Sequence, residues 1–87
     1  MNKYERIPDE IIDLHGYTTE EVEEMLQKLF RENKNKHIRI ITGKALNRER
    51  GPVLRNFVKD FLNSKGIKFN QSKIEDGGEG SLEVFFR

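Results

Sequence analysis

The sequence predicts an α+β domain of two layers, in which two helices cover one face of a four-stranded sheet. Two observations predict this class. Short runs of β-branched and aromatic residues alternate with two longer segments whose apolar residues recur at helical spacing. Glycines stand where the runs end, so the element order is β-α-β-α-β-β. The chain has 87 residues, which is enough for one core and therefore one domain.

The first three elements form a βαβ unit. A strand is expected over residues 11–16 and a second over residues 37–42, each ending at a glycine. Thr18 and Glu21 form a capping box that begins the helix between them. A right-handed crossover makes the two strands parallel, so their glycine-terminated ends meet if the strands are neighbours. The helix is expected to bury one apolar stripe: Val22, Met25, Leu26, Leu29 and Phe30.

The second half continues with a helix, a strand, a glycine-rich connection and a last strand. Gly51 and Pro52 begin the helix, and Gly66 ends it as a left-handed cap. The third strand is expected over residues 67–74, the connection over 75–80 and the last strand over 81–87. The side chains predicted to be buried here are Val53, Leu54, Phe57, Val58, Phe61, Leu62, Leu82, Val84 and Phe86.

Composition narrows the class of protein. Hydrophobic residues make up 34% of the chain and charged residues 36%, with a mean hydropathy of −0.79, which is typical of a soluble domain. No cysteine is present for a disulfide or a cysteine-ligated zinc site. No apolar run approaches the roughly 20 residues that span a membrane, so we expect a cytoplasmic protein, monomeric and without a membrane partner. Residues 1–8 are expected to be a flexible extension and residues 9–87 the domain.

Asp13 and His15 are the candidate catalytic residues. Side chains alternate across a strand, so these two share one face at the carboxyl end of the first strand. An imidazole exchanges a proton near neutral pH, and a neighbouring carboxylate can fix which ring nitrogen carries it. The alternative is a capped strand end with an exposed histidine. The other histidine, His37, is expected to be a surface residue before the second strand.

Residues that could hold phosphate follow the strands. Arginine binds phosphate through its planar fork, lysine binds it as a point charge, and glycine lets the backbone approach. Alternatively, the glycines are ordinary turn residues and the arginines solvated surface. Asp13 and His15 supply at most two neighbouring ligands, and two histidines cannot make a zinc triad without distant carboxylates, so no metal site is predicted. The candidate binding residues are Thr42, Gly43, Lys44, Arg48, Arg50, Arg55, Gly77, Gly78 and Gly80.

These motifs together resemble the Smr (small MutS-related) domain family. The resemblance runs from about Ile11 to the C-terminus and includes the aspartate-leucine-histidine-glycine segment at residues 13–16, threonine-glycine-lysine at 42–44 and the glycine-rich segment at 77–80. It implies a mixed sheet similar to that of the C-terminal domain of bacterial translation initiation factor three. It also implies an endonuclease that nicks DNA or cleaves RNA, with Asp13 and His15 as the catalytic residues.

Three functions remain open on the sequence. Retention of both Asp13 and His15 favours an endonuclease. Ala45 stands where the family's second motif has a glycine, and Asn47 where many members have a histidine; both favour a module that binds DNA, RNA or the ribosome without cleaving. The third is a protein-interaction domain that uses the open sheet face. A requirement for Mg²⁺ or Mn²⁺ and fusion to a larger protein are left open.

Overall fold

The computed structural model describes residues 7–43 and 51–86, and these contain the strands and helices in the predicted order. Two short 3₁₀ turns, Ile74–Asp76 and Gly78–Gly80, occupy the glycine-rich connection. The elements are β1 (Glu10–Asp13), α1 (Thr19–Glu32), β2 (His37–Ile41), α2 (Gly51–Ser64), β3 (Lys68–Gln71) and β4 (Ser81–Phe85).

The four strands form one mixed sheet in the order β1-β2-β4-β3. The strands β1 and β2 are parallel neighbours, as predicted, with Asp13 opposite Ile41. The strand β4 runs antiparallel to both β2 and β3, and Ile41 lies opposite Ser81. The carboxyl ends of β1 and β2 therefore meet the beginning of β4 at one edge of the sheet. The α+β class and the β-α-β-α-β-β order are confirmed.

Both helices pack on one face of the sheet. The capping box is formed, because Thr18 Oγ1 accepts from the Glu21 N–H at 3.1 Å and Glu21 Oε1 accepts from the Thr18 N–H at 2.9 Å. Of the predicted core, Met25, Phe30, Phe57 and Phe61 are half-buried and pack against its rim. The buried core consists of Leu14, Val22, Leu26, Leu29, Ile38, Ile40, Leu54, Val58, Leu62, Ile67, Leu82, Val84 and Phe86.

Two details of the predicted elements are wrong. Val53 is 56% exposed instead of buried. Successive helical residues are about 100° apart, and Leu54 and Val58 form the row that faces the sheet, so Val53 lies on the flank of the first turn. The third strand ends at Gln71 and does not reach Ile74, which is 89% exposed in the 3₁₀ turn.

The prediction that His37 is a surface residue is also wrong. His37 is the first residue of β2, and its Nε2 atom lies 2.5 Å from Oε1 of Glu83 on the face opposite the helices. Arg39 donates through Nε to the other oxygen of Glu83 at 2.7 Å and reaches Asp76 at 3.5 Å. Ser72 donates to Glu83 as well. Strand pairing brought these residues together from distant parts of the chain, which the local pattern around His37 does not indicate.

Partial burial by itself raises the pKa of Glu83, because it removes water from the carboxylate. The hydrogen bonds from Ser72, His37 and Arg39, with the charge of Arg39, outweigh this effect and hold the pKa below its ordinary value. We call these residues (His37, Arg39, Ser72, Asp76 and Glu83) the open-face network.

Candidate nucleic-acid interface

The turn after β1 places Asp13 and His15 side by side. Leu14 between them is fully buried, and its N–H donates to the Ile41 carbonyl at 2.8 Å. The Tyr17 N–H donates back to the Leu14 carbonyl at 3.2 Å, across Gly16 at φ +92°. A positive φ of this kind favours glycine. Because Leu14 is anchored inward, its two neighbours point outward.

Asp13 and His15 form the predicted pair. Oδ1 of Asp13 lies 2.5 Å from Nδ1 of His15 and accepts from the His15 backbone N–H at 3.0 Å. Partial burial raises the pKa of Asp13, but these hydrogen bonds and the charge of the imidazolium outweigh it and lower the pKa overall. The His15 side chain is 70% exposed, and Nε2 has no partner among the described residues. The pair therefore presents one ring nitrogen to solvent.

The end of β2 lies against this pair. A Cβ atom placed on Gly43, which has φ +87°, would lie 3.5 Å from Cβ of His15. The N–H groups of Thr42 and Gly43 both donate to the Gly80 carbonyl, at 2.8 and 3.1 Å. The Thr42 side chain is buried, so this residue joins the strand end to the glycine-rich connection and does not present its hydroxyl to solvent. The predicted meeting of the two strand ends is confirmed.

The glycine-rich connection forms the third side of this region. The N–H groups of Gly77, Gly78 and Gly80 donate within it, to Ile74, Lys73 and Gly77. A Cβ atom on Gly77, at φ +119°, would lie 2.7 Å from Cβ of Ser81, so this position accommodates only glycine without a shift. Gly77 therefore packs against the start of β4, and Gly80 is hydrogen-bonded to the end of β2.

Arg55 reaches the same region from α2. Its Nη1 atom donates to the Glu79 carbonyl at 3.1 Å and lies 3.8 Å from the Glu79 carboxylate. Glu79 is absent from the predicted site residues, and 24 residues separate it from Arg55. Sequence spacing carries no signal for such a contact, which depends on how α2 packs beside the connection.

Three predicted basic residues, Lys44, Arg48 and Arg50, lie outside the described residues.

Within residues 7–43 and 51–86, no three histidine or carboxylate side chains are grouped closely enough to hold a metal ion. We call Asp13, His15, Gly43, Arg55 and the 77–80 segment, which the structure brings together, the strand-end surface.

A family model of the Smr domain matches residues 12–87, which is most of the chain. The chain belongs to the Smr domain family. Smr domains are nucleic-acid-binding, nuclease-like modules, and the match includes every residue of the strand-end surface.

Solved Smr domains have the same fold. The solution structure of the SMR domain of NEDD4-binding protein 2 has a TM-score of 0.67 and 22% identity, covering 95% of this chain and 91% of that one. The solution structure of the B3BP Smr domain has a TM-score of 0.65 and 24% identity, covering 92% of this chain and 80% of that one. The crystal structure of the human small-MutS related domain has a TM-score of 0.63 and 25% identity, covering 87% of this chain and 99% of that one.

No curated protein matches the chain significantly. Neither helix in the described part of this Smr domain has the length and apolar character needed to cross a membrane.

Proposed function

We propose that this Smr domain is an endonuclease that hydrolyses phosphodiester bonds of DNA or RNA at the strand-end surface. The observation that carries the proposal is the hydrogen bond between Asp13 and Nδ1 of His15, which leaves Nε2 facing solvent. A histidine oriented by a carboxylate and open on its other nitrogen is the arrangement used for general acid–base chemistry. A residue that only binds phosphate does not require this pairing.

The chemistry follows from the proton positions. When Nδ1–H donates a hydrogen bond to Asp13, the lone pair on Nε2 can accept a proton from the attacking water. In RNA the adjacent ribose 2′-hydroxyl could attack instead, which would cleave the chain and leave a 2′,3′-cyclic phosphate for water to open. The attacking oxygen forms a bond to phosphorus, and the bond to the leaving oxygen breaks. The leaving oxygen then takes a proton from the imidazolium or from water. Asp13, whose pKa is lowered, stays ionised and stabilises the imidazolium.

Four cationic residues are proposed to contact phosphate. Arg55 lies beside Glu79 at the strand-end surface, and Lys44, Arg48 and Arg50 belong to the segment between Gly43 and α2. Since the net charge of the chain is only +1, long-range attraction is weak and these cations would supply the affinity.

A non-catalytic binding module is the second candidate. Ala45 occupies the position of a glycine in the second family motif, and Asn47 that of a histidine found in many members. In this case the same surface would hold DNA, RNA or ribosomal RNA without cleaving it.

Cleavage assays on two variants test the proposal. Supercoiled plasmid and a structured RNA are incubated with the chain, with and without Mg²⁺ or Mn²⁺. His15→Ala should reduce cleavage by about 100-fold or more, the usual contribution of a general acid–base group, while binding in a gel-shift assay is retained. Asp13→Asn should act in the same direction because the imidazolium loses its counter-charge. Asp60→Asn, an exposed position on α2, is the matched control and should cleave like wild type.

The outcomes separate the two candidates. Wild-type cleavage by His15→Ala would overturn the catalytic assignment. Binding without cleavage by wild type under every ion condition would leave the binding module as the function. Failure of wild type to bind either nucleic acid at low salt would overturn both.

A further inference from the structure

Arg55 and Glu79 make an incomplete contact. The carboxylate lies 3.8 Å from Nη1, at the outer limit of an ion pair, whereas the backbone carbonyl of Glu79 accepts from the same atom at 3.1 Å. Nε of Arg55 is buried without a hydrogen-bond partner. A buried donor without a partner has a free-energy cost. Because Nε is enclosed, only the Nη groups of the guanidinium can reach a ligand at the strand-end surface.

The Glu79 side chain can leave this contact without a change in the backbone. It is 68% exposed, whereas the Arg55 side chain is 22% exposed. Its two neighbours are tied down, because Gly78 donates to the Lys73 carbonyl and the Gly80 carbonyl accepts from Thr42 and Gly43. Rotation about side-chain bonds alone would move the carboxylate away from Arg55 and leave the guanidinium in place.

We propose that Glu79 competes with nucleic-acid phosphate for Arg55 and thereby sets the affinity of the strand-end surface. This inference rests on the proposed function. In the free chain the Glu79 carboxylate offsets the charge of Arg55 and repels an approaching phosphate. A phosphate can make two parallel hydrogen bonds to the two Nη groups of a guanidinium, a better arrangement than one long ion pair. Binding exchanges the intramolecular partner for the phosphate, and the exposed carboxylate turns to water.

Removal of this one charge should strengthen binding. Glu79→Gln is compared with Glu75→Gln, an exposed glutamate of the same connection that has no partner among the described residues. Both variants change the net charge equally. Glu79→Gln should bind a fluorescent DNA or RNA oligonucleotide about three- to fivefold more tightly, the effect of one exposed ion pair. Glu75→Gln should change the affinity much less.

A double-mutant cycle tests whether the effect passes through Arg55. In an Arg55→Ala background, the gain from Glu79→Gln should fall to that from Glu75→Gln, because no guanidinium remains to be released. Equal gains from the two glutamine variants, or a gain from Glu79→Gln that persists without Arg55, would overturn the inference.

A second readout does not depend on nucleic acid. Tripolyphosphate is titrated while the Arg55 Nε–H signal is followed by NMR in wild type and in Glu79→Gln. The signal should shift at lower tripolyphosphate concentration in the variant. If neither protein binds nucleic acid, the proposed function fails and the inference fails with it for nucleic acid. Identical tripolyphosphate titration curves would overturn the competition between Glu79 and phosphate itself.

Discussion

At the scale of single residues, two carboxylates on the open side of the sheet have contrasting surroundings. Asp13 lies at the end of β1, is exposed, and has His15 as its partner. Glu83 lies in the middle of β4, is 11% exposed at its side chain, and accepts from His37, Arg39 and Ser72. An exposed ion pair adds little stability, whereas an enclosed and fully bonded carboxylate is costly to disturb. Asp13 is therefore suited to chemistry and Glu83 to holding the sheet.

Glu83→Gln should lower the free energy of unfolding by about 1–3 kcal/mol at neutral pH, because the buried partners lose their charged acceptor. The pKa of Glu83 lies below the ordinary 4.5 in the folded chain. The contribution of Glu83 to the free energy of unfolding is therefore complete above pH 4.5, the ordinary pKa. It is lost as the pH falls through the lower pKa of the folded chain. Urea denaturation at neutral and acidic pH measures both effects.

Wild type should lose more stability between pH 7 and pH 3 than Glu83→Gln does, since the variant has no carboxylate to protonate at this position. Glu75→Gln provides the control, because Glu75 is exposed and should show the acid sensitivity of wild type. Equal losses in wild type and Glu83→Gln would contradict the structural role of Glu83.

At the scale of elements, the sequence predicted those features that depend on residues close together in the chain. The capping box at Thr18, the left-handed Gly66 and the β-α-β order all depend on residues close together in sequence, and the structure confirms them. The end of β3 was misplaced because an isoleucine continued the strand pattern, although nothing covers Ile74 in the fold. The partners of His37 could not be predicted, since Glu83 lies 46 residues away.

The glycine-rich connection gives the prediction at this scale. Gly77→Ala should destabilise the domain by about 2 kcal/mol or more, because it combines a positive φ with a Cβ contact of 2.7 Å to Ser81. Gly66→Ala has a positive φ but open space around the new Cβ, so it should cost only about 1 kcal/mol. Thermal denaturation of both variants measures the difference. A Gly77→Ala variant as stable as Gly66→Ala would show that the connection tolerates a shift at Ser81.

At the scale of the whole molecule, the open sheet face and the strand-end surface differ in how firmly their charged side chains are paired. On the open sheet face, Arg39 is held within the open-face network and has Glu83 and Asp76 as partners. The strand-end surface keeps an exposed histidine and a loosely held arginine. The sequence motifs predicted this location because parallel strand ends meet at one edge. They did not predict Glu79, whose contact with Arg55 depends on helix packing.

The most direct test of the account is to map the amides that respond to nucleic acid by NMR. A uniformly ¹⁵N-labelled chain is titrated with a short DNA or RNA duplex and with a single strand. The largest shifts should occur at residues 13–16, at Gly43 and at residues 77–80. Residues 68–71 and Glu83 on the open sheet face should change little. Shifts concentrated on residues 68–71 and Glu83, with residues 13–16 unaffected, would contradict the account.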